Sequence, residues 1–529
     1  MHQQEPLQDQ INSVIKLYSN GQIQEALDAI GALIKDYPNE ALLYNISGVC
    51  YKAINQLDDA VKSFEKALTI KPDYIEACYN LGVTLKEVNQ LDAAVKYYKK
   101  ALILKPDYAE AHYNLGNAFK ELDQMDEAIK SYERAIALKP DFADAHYNLG
   151  LTLKELGQHD DAVKSYKQAL AIKPDFAEVH NNLGVTLKKL GQLDVAIKSY
   201  GKALAIKPDY AEVYSNLGLT LQDLGQLDEA LISYESAITL KPNIDFILGN
   251  SLHIKMHLCL WDDLAKQLDE STNKINNGEK AIVPFQMLAL IDNPKIQRKT
   301  SEIYANHKYP QSHVLSKIER YPKHKKIRIG YFSADFRNHP VSLLTAELYE
   351  VHDRSQFEIY GFSFGLGAED EITLRIKAGV DHFYDVDKMS YKDVAMLARS
   401  IELDIAVDLG GYTQDSRTEI FAMSAAPIQL GYIGYLGTMG ANYYDYLVAD
   451  QTIIPEKNQK YYSEKVVYLP SYQVNDSKQS PPATIFTRQD IGLPEEGFVF
   501  CCFNNTYKIT PTSFDSWGRI LEKVEGSVL

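Results

Sequence analysis

The chain has 529 residues and a formal charge of −16, from 55 Lys and Arg against 71 Asp and Glu. Hydrophobic residues at 45% and aromatic residues at 11% can build large cores, which excludes disorder throughout and suggests several domains. The acidic balance argues against nucleic acid or an anionic membrane as main partner, and no run of about 18 apolar residues predicts a membrane span.

The opening segment, MHQQEPLQDQ, has neither the basic nor the apolar stretch of a signal peptide, so none is expected. The Cys residues at 50, 78, 259, 501 and 502 do not make a disulfide framework, and a reducing cytoplasm is the simplest home. A 34-residue period then fills the first half. Pro38, Pro72, Pro106, Pro140, Pro174, Pro208 and Pro242 are evenly spaced, as are Ala26 to Ala230 and Gly48 to Gly218. Seven units cover residues 7–244, the first degenerate. Each reads as two helices, with apolar residues three and four apart, closed by Lys-Pro-Asp because Pro cannot continue a helix. The pattern resembles the tetratricopeptide repeat. One helix pair cannot bury its own apolar face, so the units must stack into an all-α superhelix with a groove lined by the first helices.

Two polar series share this period. His112, His146 and His180 occupy a slot that is usually aromatic in this repeat, and packing explains them better than a metal. Asn80, Asn114, Asn148, Asn182 and Asn216 form a ladder along the first helices. An amide offers donor and acceptor, so the ladder either clamps the backbone of an extended peptide or serves the repeat itself; the sequence leaves both open.

After Pro242 the period ends. Residues 245–325 read as an irregular helical region, with a helix starting at Trp261 and the Asp-Asp after it. His253 and His257 share a helix face, but no third ligand accompanies them, so a packed pair is expected rather than a metal site. From 326 to 475 short apolar runs alternate with helices: strands at 327–334, 357–364, 382–386, 404–412, 427–435, 446–450 and 465–470, helices at 342–352 and 391–401. This alternation predicts a mainly parallel, doubly wound α/β lobe of Rossmann type, with ligands at the carboxyl ends of its strands. A polar linker at 475–490 follows, then a strand at 497–505 and a helix at 510–524 capped by Thr510. One strand and one helix cannot form a domain, so residues 476–529 read as a linker and the start of a truncated lobe.

Several segments can carry chemistry. In SADFRNHPVS (333–342), His339 sits at a helix N-terminus, where the dipole favours a neutral, proton-accepting ring. It suits a general base, an alcohol-binding group or a simple cap. In FNNTYKITP (503–511), Lys508 follows a strand end and precedes a helix, a place for a diphosphate or for a solvated amine. Gly431, Gly434, Gly437 and Gly440 mark a tight loop that something approaches closely. Asp404 and Asp408, before GGYTQDS, lean structural. Asp385 and Asp387 mimic a metal-holding acidic pair without a supporting site, and Cys501 and Cys502 read as buried thiols.

Repeats followed by RIGYFSADFRNHPVS, DIAVDLGGYT, APIQLGYIGYLGTMG, DYLVADQTIIP and FNNTYKITP resemble the protein O-GlcNAc transferases, glycosyltransferase family 41, over nearly all 529 residues. The resemblance implies a metal-independent, inverting enzyme with a two-lobed, GT-B-type catalytic region, of which this chain holds the N-terminal half. It implies transfer of N-acetylglucosamine from UDP-GlcNAc to Ser or Thr of intracellular proteins, with the repeats guiding the acceptor and no cofactor. His339 matches the family's active-site His, Lys508 the Lys on the diphosphate and Tyr507 the neighbouring Tyr. Asn505 stands at a donor-binding amide, and the five-Asn ladder matches acceptor-backbone contacts. Leu436 and Met439 depart from the family's loop at acceptor or sugar contacts. Most donor contacts lie in the lobe expected after Leu529, so the chain alone is expected to have little activity. A protein O-fucosyltransferase of the SPINDLY type and a non-catalytic repeat scaffold that binds peptides are the alternatives.

Overall fold

The computed structural model describes residues 6–319, 321–365, 369–473, 476–478 and 486–529. The chain divides into two compact units, Met1–Gly225 and Gln226–Leu529. The division falls one helix before the last Pro of the 34-residue series, Pro242.

The first unit is a run of antiparallel helix pairs, from Leu7–Ser19 to Ala211–Asp223. Successive first helices touch one another, which places them on the inside of the stack. The periodic Gly residues make the tight crossings. A Cβ at Gly116 would lie 2.6 Å from the ring of Tyr132, and Gly82, Gly150 and Gly184 face Tyr98, Tyr166 and Tyr200 in the same way. These tyrosines are fully buried. The Lys-Pro-Asp corners do more than stop helices. Lys105, Lys139, Lys173 and Lys207 lie over the rings of Tyr108, Phe142, Phe176 and Tyr210, with Nζ 4.4 to 4.9 Å from the centroids. The His series closes the same corners: the Nε2–H groups of His112, His146 and His180 donate to the carbonyls of Pro106, Pro140 and Pro174 at 3.0 to 3.1 Å.

The second unit opens with helix Leu227–Leu240 and a set of irregularly packed helices, followed by the sheet. The helix expected from Trp261 begins later, at Leu264, because Asp263 adopts a left-handed φ of 55°. Seven strands follow: β1 (Ile327–Ser333), β2 (Phe357–Ser363), β3 (His382–Asp385), β4 (Ile405–Asp408), β5 (Ile428–Gly431), β6 (Tyr446–Ala449) and β7 (Lys465–Tyr468). Their order is β3-β2-β1-β4-β5-β6-β7 and every pairing is parallel. Both faces are covered, so the strands are apolar on both sides. Phe332 and Phe362 stack 4.3 Å apart in one layer with Val394 and Leu403, while Ile329, Tyr331, Ile359 and Tyr349 fill the other.

At the amino ends of the strands, the ring nitrogens of His324 face Glu402 Oε2 at 2.9 Å and Asp404 Oδ2 at 3.2 Å. Asp404 also accepts from the backbone N–H of Arg328. Glu402 first, then Asp404, raise the pKa of His324, while Arg328 opposes them. A raised folded-state pKa contributes stability that is fully present below the ordinary value of about 6.5 and is lost as pH rises through the folded value. Thermal unfolding of His324→Gln against the wild type should therefore show a deficit of at most about 1 kcal/mol at mildly acidic pH. The deficit should close in mildly alkaline buffer; a difference independent of pH would contradict the ion-pair account.

The expected strand at 497–505 is not formed as a ladder. Val499 and Val528 make one isolated parallel bridge, since a single pairing has no further strand or covered face to extend it. Cys501 is exposed and Cys502 half-buried, so they are not the buried thiols expected. The helix Pro511–Lys523 forms as read, with Thr510 Oγ1 accepting from Ser513 N–H. Of the linker at 475–490, residues 475 and 479–485 lie outside the described residues, as do residues 1–5 of the opening segment. Within it, Asp476 is held by Arg375 at 2.5 Å. Among the described residues, no helix is long and apolar enough to cross a membrane.

Candidate active site

β1 and β4 lie side by side, while the chain leaves β1 in one direction and β4 in the other, so the crevice beyond their carboxyl ends is the switch point of the sheet. β1 ends at Ser333, whose Oγ accepts from the N–H of Asp335. Ser342 Oγ–H binds back to the Asp335 carbonyl, and Asp370 accepts from the N–H of Asn338. These bonds hold the 334–339 turn and deliver His339 to the N-cap of helix Pro340–Val351, with Pro340 in its first turn.

His339 Nδ1 accepts from Val341 N–H at 3.3 Å and lies 3.5 Å from Asp335 Oδ2. The His339 side chain is 37% exposed and that of Asp335 11%. Two proton arrangements follow. With Nδ1 as the cap acceptor, Nε2 carries the proton and donates. With the Nδ1 proton turned to Asp335, Nε2 is a free acceptor that can take a proton from a hydroxyl. Asp335 is the carboxylate placed to orient the ring in the second arrangement; the sequence showed no more of it than its place at a strand end four residues before the His.

At the end of β4, Asp408 is buried and accepts from the N–H groups of Gly410 and Gly411 at 2.9 and 3.0 Å and from the Tyr444 hydroxyl. Burial raises its pKa. It is the internal anchor of the GGY turn, and Asp404 lies at the other end of the strand. The glycine loop is approached closely by the protein's own backbone. A Cβ at Gly434 would meet the Leu409 carbonyl at 2.0 Å, and one at Gly440, with φ +62°, the Glu302 N–H at 2.5 Å. Glu464, unnoticed in the sequence, holds this loop from inside, accepting from Thr438 Oγ1–H at 2.7 Å and Met439 N–H at 2.6 Å. Met439 is buried, so its side chain faces the core, whereas Leu436 is 36% exposed.

The second segment docks elsewhere. Thr506 Oγ1–H donates to the His257 carbonyl at 2.9 Å, and the Tyr507 ring lies 4.8 Å from both His253 and His257. The two histidines stack edge to face at 4.7 Å. Burial, then His257, lowers the pKa of His253 to about 4, so the pair is a neutral packing element. Asn505 and Lys508 are exposed, with Lys508 Nζ 5.8 Å from the Tyr507 ring centroid. A cavity of about 200 Å³ beyond β1, β2 and β3 is lined by Arg337, Thr373, Lys377 and Asp385. Asp387 is turned to Arg417 at 3.7 Å. Among the described residues no group of three or more His, Cys, Asp or Glu is placed to hold a metal.

In the repeats the ladder amides bond to the preceding repeat. Asn80 and Asn216 donate to Asn45 and Asn181, and Asn114, Asn148 and Asn182 to the hydroxyls of Tyr79, Tyr113 and Tyr147, at 2.8 to 3.2 Å. All five remain half-exposed.

Residues 299–483 and 472–529 match the family described as Glycosyl transferase family 41. Five overlapping stretches within 48–225 match the TPR repeat, and residues 211–244 match the Tetratricopeptide repeat. The chain carries a glycosyl transferase family 41 domain behind tetratricopeptide repeats. It is 36% identical over 299 residues to a probable UDP-N-acetylglucosamine–peptide N-acetylglucosaminyltransferase SEC of Arabidopsis thaliana, covering 53% of this chain and 31% of that one. It is 32% identical over 206 residues to the similarly named SPINDLY protein of Oryza sativa subsp. japonica, covering 38% of this chain and 22% of that one. A solved O-GlcNAc transferase mutant of Thermobaculum terrenum is similar over 73% of this chain and 67% of that one, at 24% identity and a TM-score of 0.48. The chain spans 31% or less of the length of these curated relatives.

Proposed function

We propose that this family 41 chain serves protein O-glycosylation, moving N-acetylglucosamine from UDP-GlcNAc to Ser or Thr hydroxyls with inversion. The observation that carries this reading is His339 at the mouth of β1 with Asp335 behind it. The acceptor oxygen attacks the anomeric carbon while its proton passes to His339 Nε2, and the bond to UDP breaks with its electron pair leaving on the diphosphate. Asp335 steadies the imidazolium so formed. Lys508, with Asn505 and Tyr507 beside it, supplies positive charge for the diphosphate. The repeat groove and its Asn ladder recruit the acceptor polypeptide. No metal is required, and free thiols at all five cysteines favour a reducing cytoplasm.

Positioning contributes much of the barrier reduction in such a transfer. Because the chain spans 31% or less of the length of these relatives, the 529 residues by themselves should turn over UDP-GlcNAc slowly or not at all. Transfer of radiolabelled sugar to a Ser/Thr peptide, by this chain and by the full coding region, tests both statements. Brisk product formation by the chain alone would refute the second. Activity in the full protein should persist in EDTA. The alternative donor implied by the sequence resemblance is GDP-fucose, and a side-by-side assay of the two donors decides between them.

A further inference from the structure

The first helices of the repeats carry a second ladder, made of charge. Lys recurs every 34 residues at Lys52, Lys86, Lys120, Lys154 and Lys188. Four of these reach a carboxylate of the next repeat: Lys52 to Glu87 at 3.0 Å, Lys86 to Glu121 at 2.7 Å, Lys120 to Glu155 at 2.9 Å and Lys188 to Asp223 at 3.0 Å. The fifth cannot, because the acidic position one repeat on is Lys189. Lys154 Nζ instead donates to Asn182 Oδ1 at 3.0 Å, a member of the Asn ladder on the inner helices. The carboxylate that acts on it, Glu155, is already engaged by Lys120.

Other features of the repeat change at the same rung. His159 occupies a position held by Leu91, Met125 and Leu193 in other repeats. Burial first, then Lys189 and Lys154, lower its pKa, while Asp160 opposes them. The tyrosines that precede the ladder Asn, at Tyr79, Tyr113 and Tyr147, give way to Asn181. In a chain of net charge −16, this rung holds a half-buried cation without the inter-repeat ion pair of the other rungs, its acidic neighbour Glu155 being paired with Lys120, beside an amide of the half-exposed ladder.

We propose that the Lys154–Asn182 rung is an acidic-residue subsite, where a carboxylate side chain of an extended peptide takes the place of the missing rung acid. This deepens the recruitment reading above and rests on it. The carboxylate would accept a charge-assisted hydrogen bond from Lys154 while the Asn182 amide meets the peptide backbone.

Two fluorescein-labelled peptides, alike except for Glu-Ser-Glu against Gln-Ser-Gln at the centre, provide the test by fluorescence anisotropy at low salt. The Glu peptide should bind the wild-type chain about tenfold tighter. Lys189→Glu rebuilds the consensus rung, so it should bring the two affinities together while leaving the thermal midpoint unchanged or higher. Lys154→Gln should remove the preference as well. Equal binding of both peptides to the wild type overturns the subsite and leaves groove recruitment standing. A preference that survives either substitution also overturns it. Failure of both peptides to bind overturns subsite and recruitment together.

Discussion

Gly116→Ala should destabilise the repeat unit, whereas Gly201→Ala should stabilise it. Both residues lie inside helices, so both substitutions gain about 1 kcal/mol from the lower backbone entropy cost of Ala. They differ in what the new methyl meets. At Gly201 nothing lies within 4 Å of a Cβ, and the helix gain stands alone. At Gly116 the Cβ would sit 2.6 Å from the Tyr132 ring. That ring is fully buried and its hydroxyl donates to Asn117 Oδ1 at 2.8 Å, so it cannot swing aside without losing a hydrogen bond in a packed interior. Overpacking of this kind costs about 1 to 3 kcal/mol, which outweighs the helix gain once the ring and its hydrogen bond are both disturbed. Urea unfolding followed by far-UV circular dichroism should move the midpoint down for Gly116→Ala and up for Gly201→Ala. A shared direction would show that close approach of helix backbones is not what these periodic glycines provide.

The same comparison shows what the sequence could disclose. The period was legible because each repeat must solve one packing problem in one way: small residue against buried ring, Pro at the corner. The strands were legible because apolar runs such as IRIGYFS have no helical spacing, and the parallel order followed from the helices between them. Their ends were overread at β4 and β5, where the GGY turn and the glycine loop leave the sheet directly after Asp408 and Gly431. Asp335 and Glu464 were not legible, since a carboxylate that orients a ring or holds a loop looks like any other until its partners converge. The aromatic after each Lys-Pro-Asp carried its signal openly, yet only the geometry shows the ammonium above the ring. The break in the charge ladder was equally visible as Lys189, but it acquires meaning only when Lys154 is seen reaching for an acid in the next repeat. The strand at 497–505 fails for the opposite reason. Its apolar pattern is genuine, but Phe498 and Phe503 remain exposed because nothing covers them.

His339 serves two masters, and substitutions can separate them. As N-cap it satisfies the Val341 N–H; as a base it must offer Nε2 to a hydroxyl with Nδ1–H turned to Asp335. Asn is a good N-cap and cannot act as a base, so His339→Asn in the full-length protein should keep the thermal midpoint and lose about a hundredfold or more in kcat. His339→Ala should lose turnover similarly and about 1 kcal/mol of stability besides. Asp335→Asn retains the shape of the side chain but not the charge that stabilises a protonated ring, so it should lower kcat by a smaller factor with KM for the peptide little changed. Peptide affinity measured by anisotropy should be unaffected by all three, because the acceptor is recruited by the repeats. A His339→Asn enzyme with wild-type turnover would reduce this residue to a helix cap and move the search for the base to another side chain. If instead activity falls in step with stability across the three variants, the turn at 334–339 matters for its architecture and not for proton transfer.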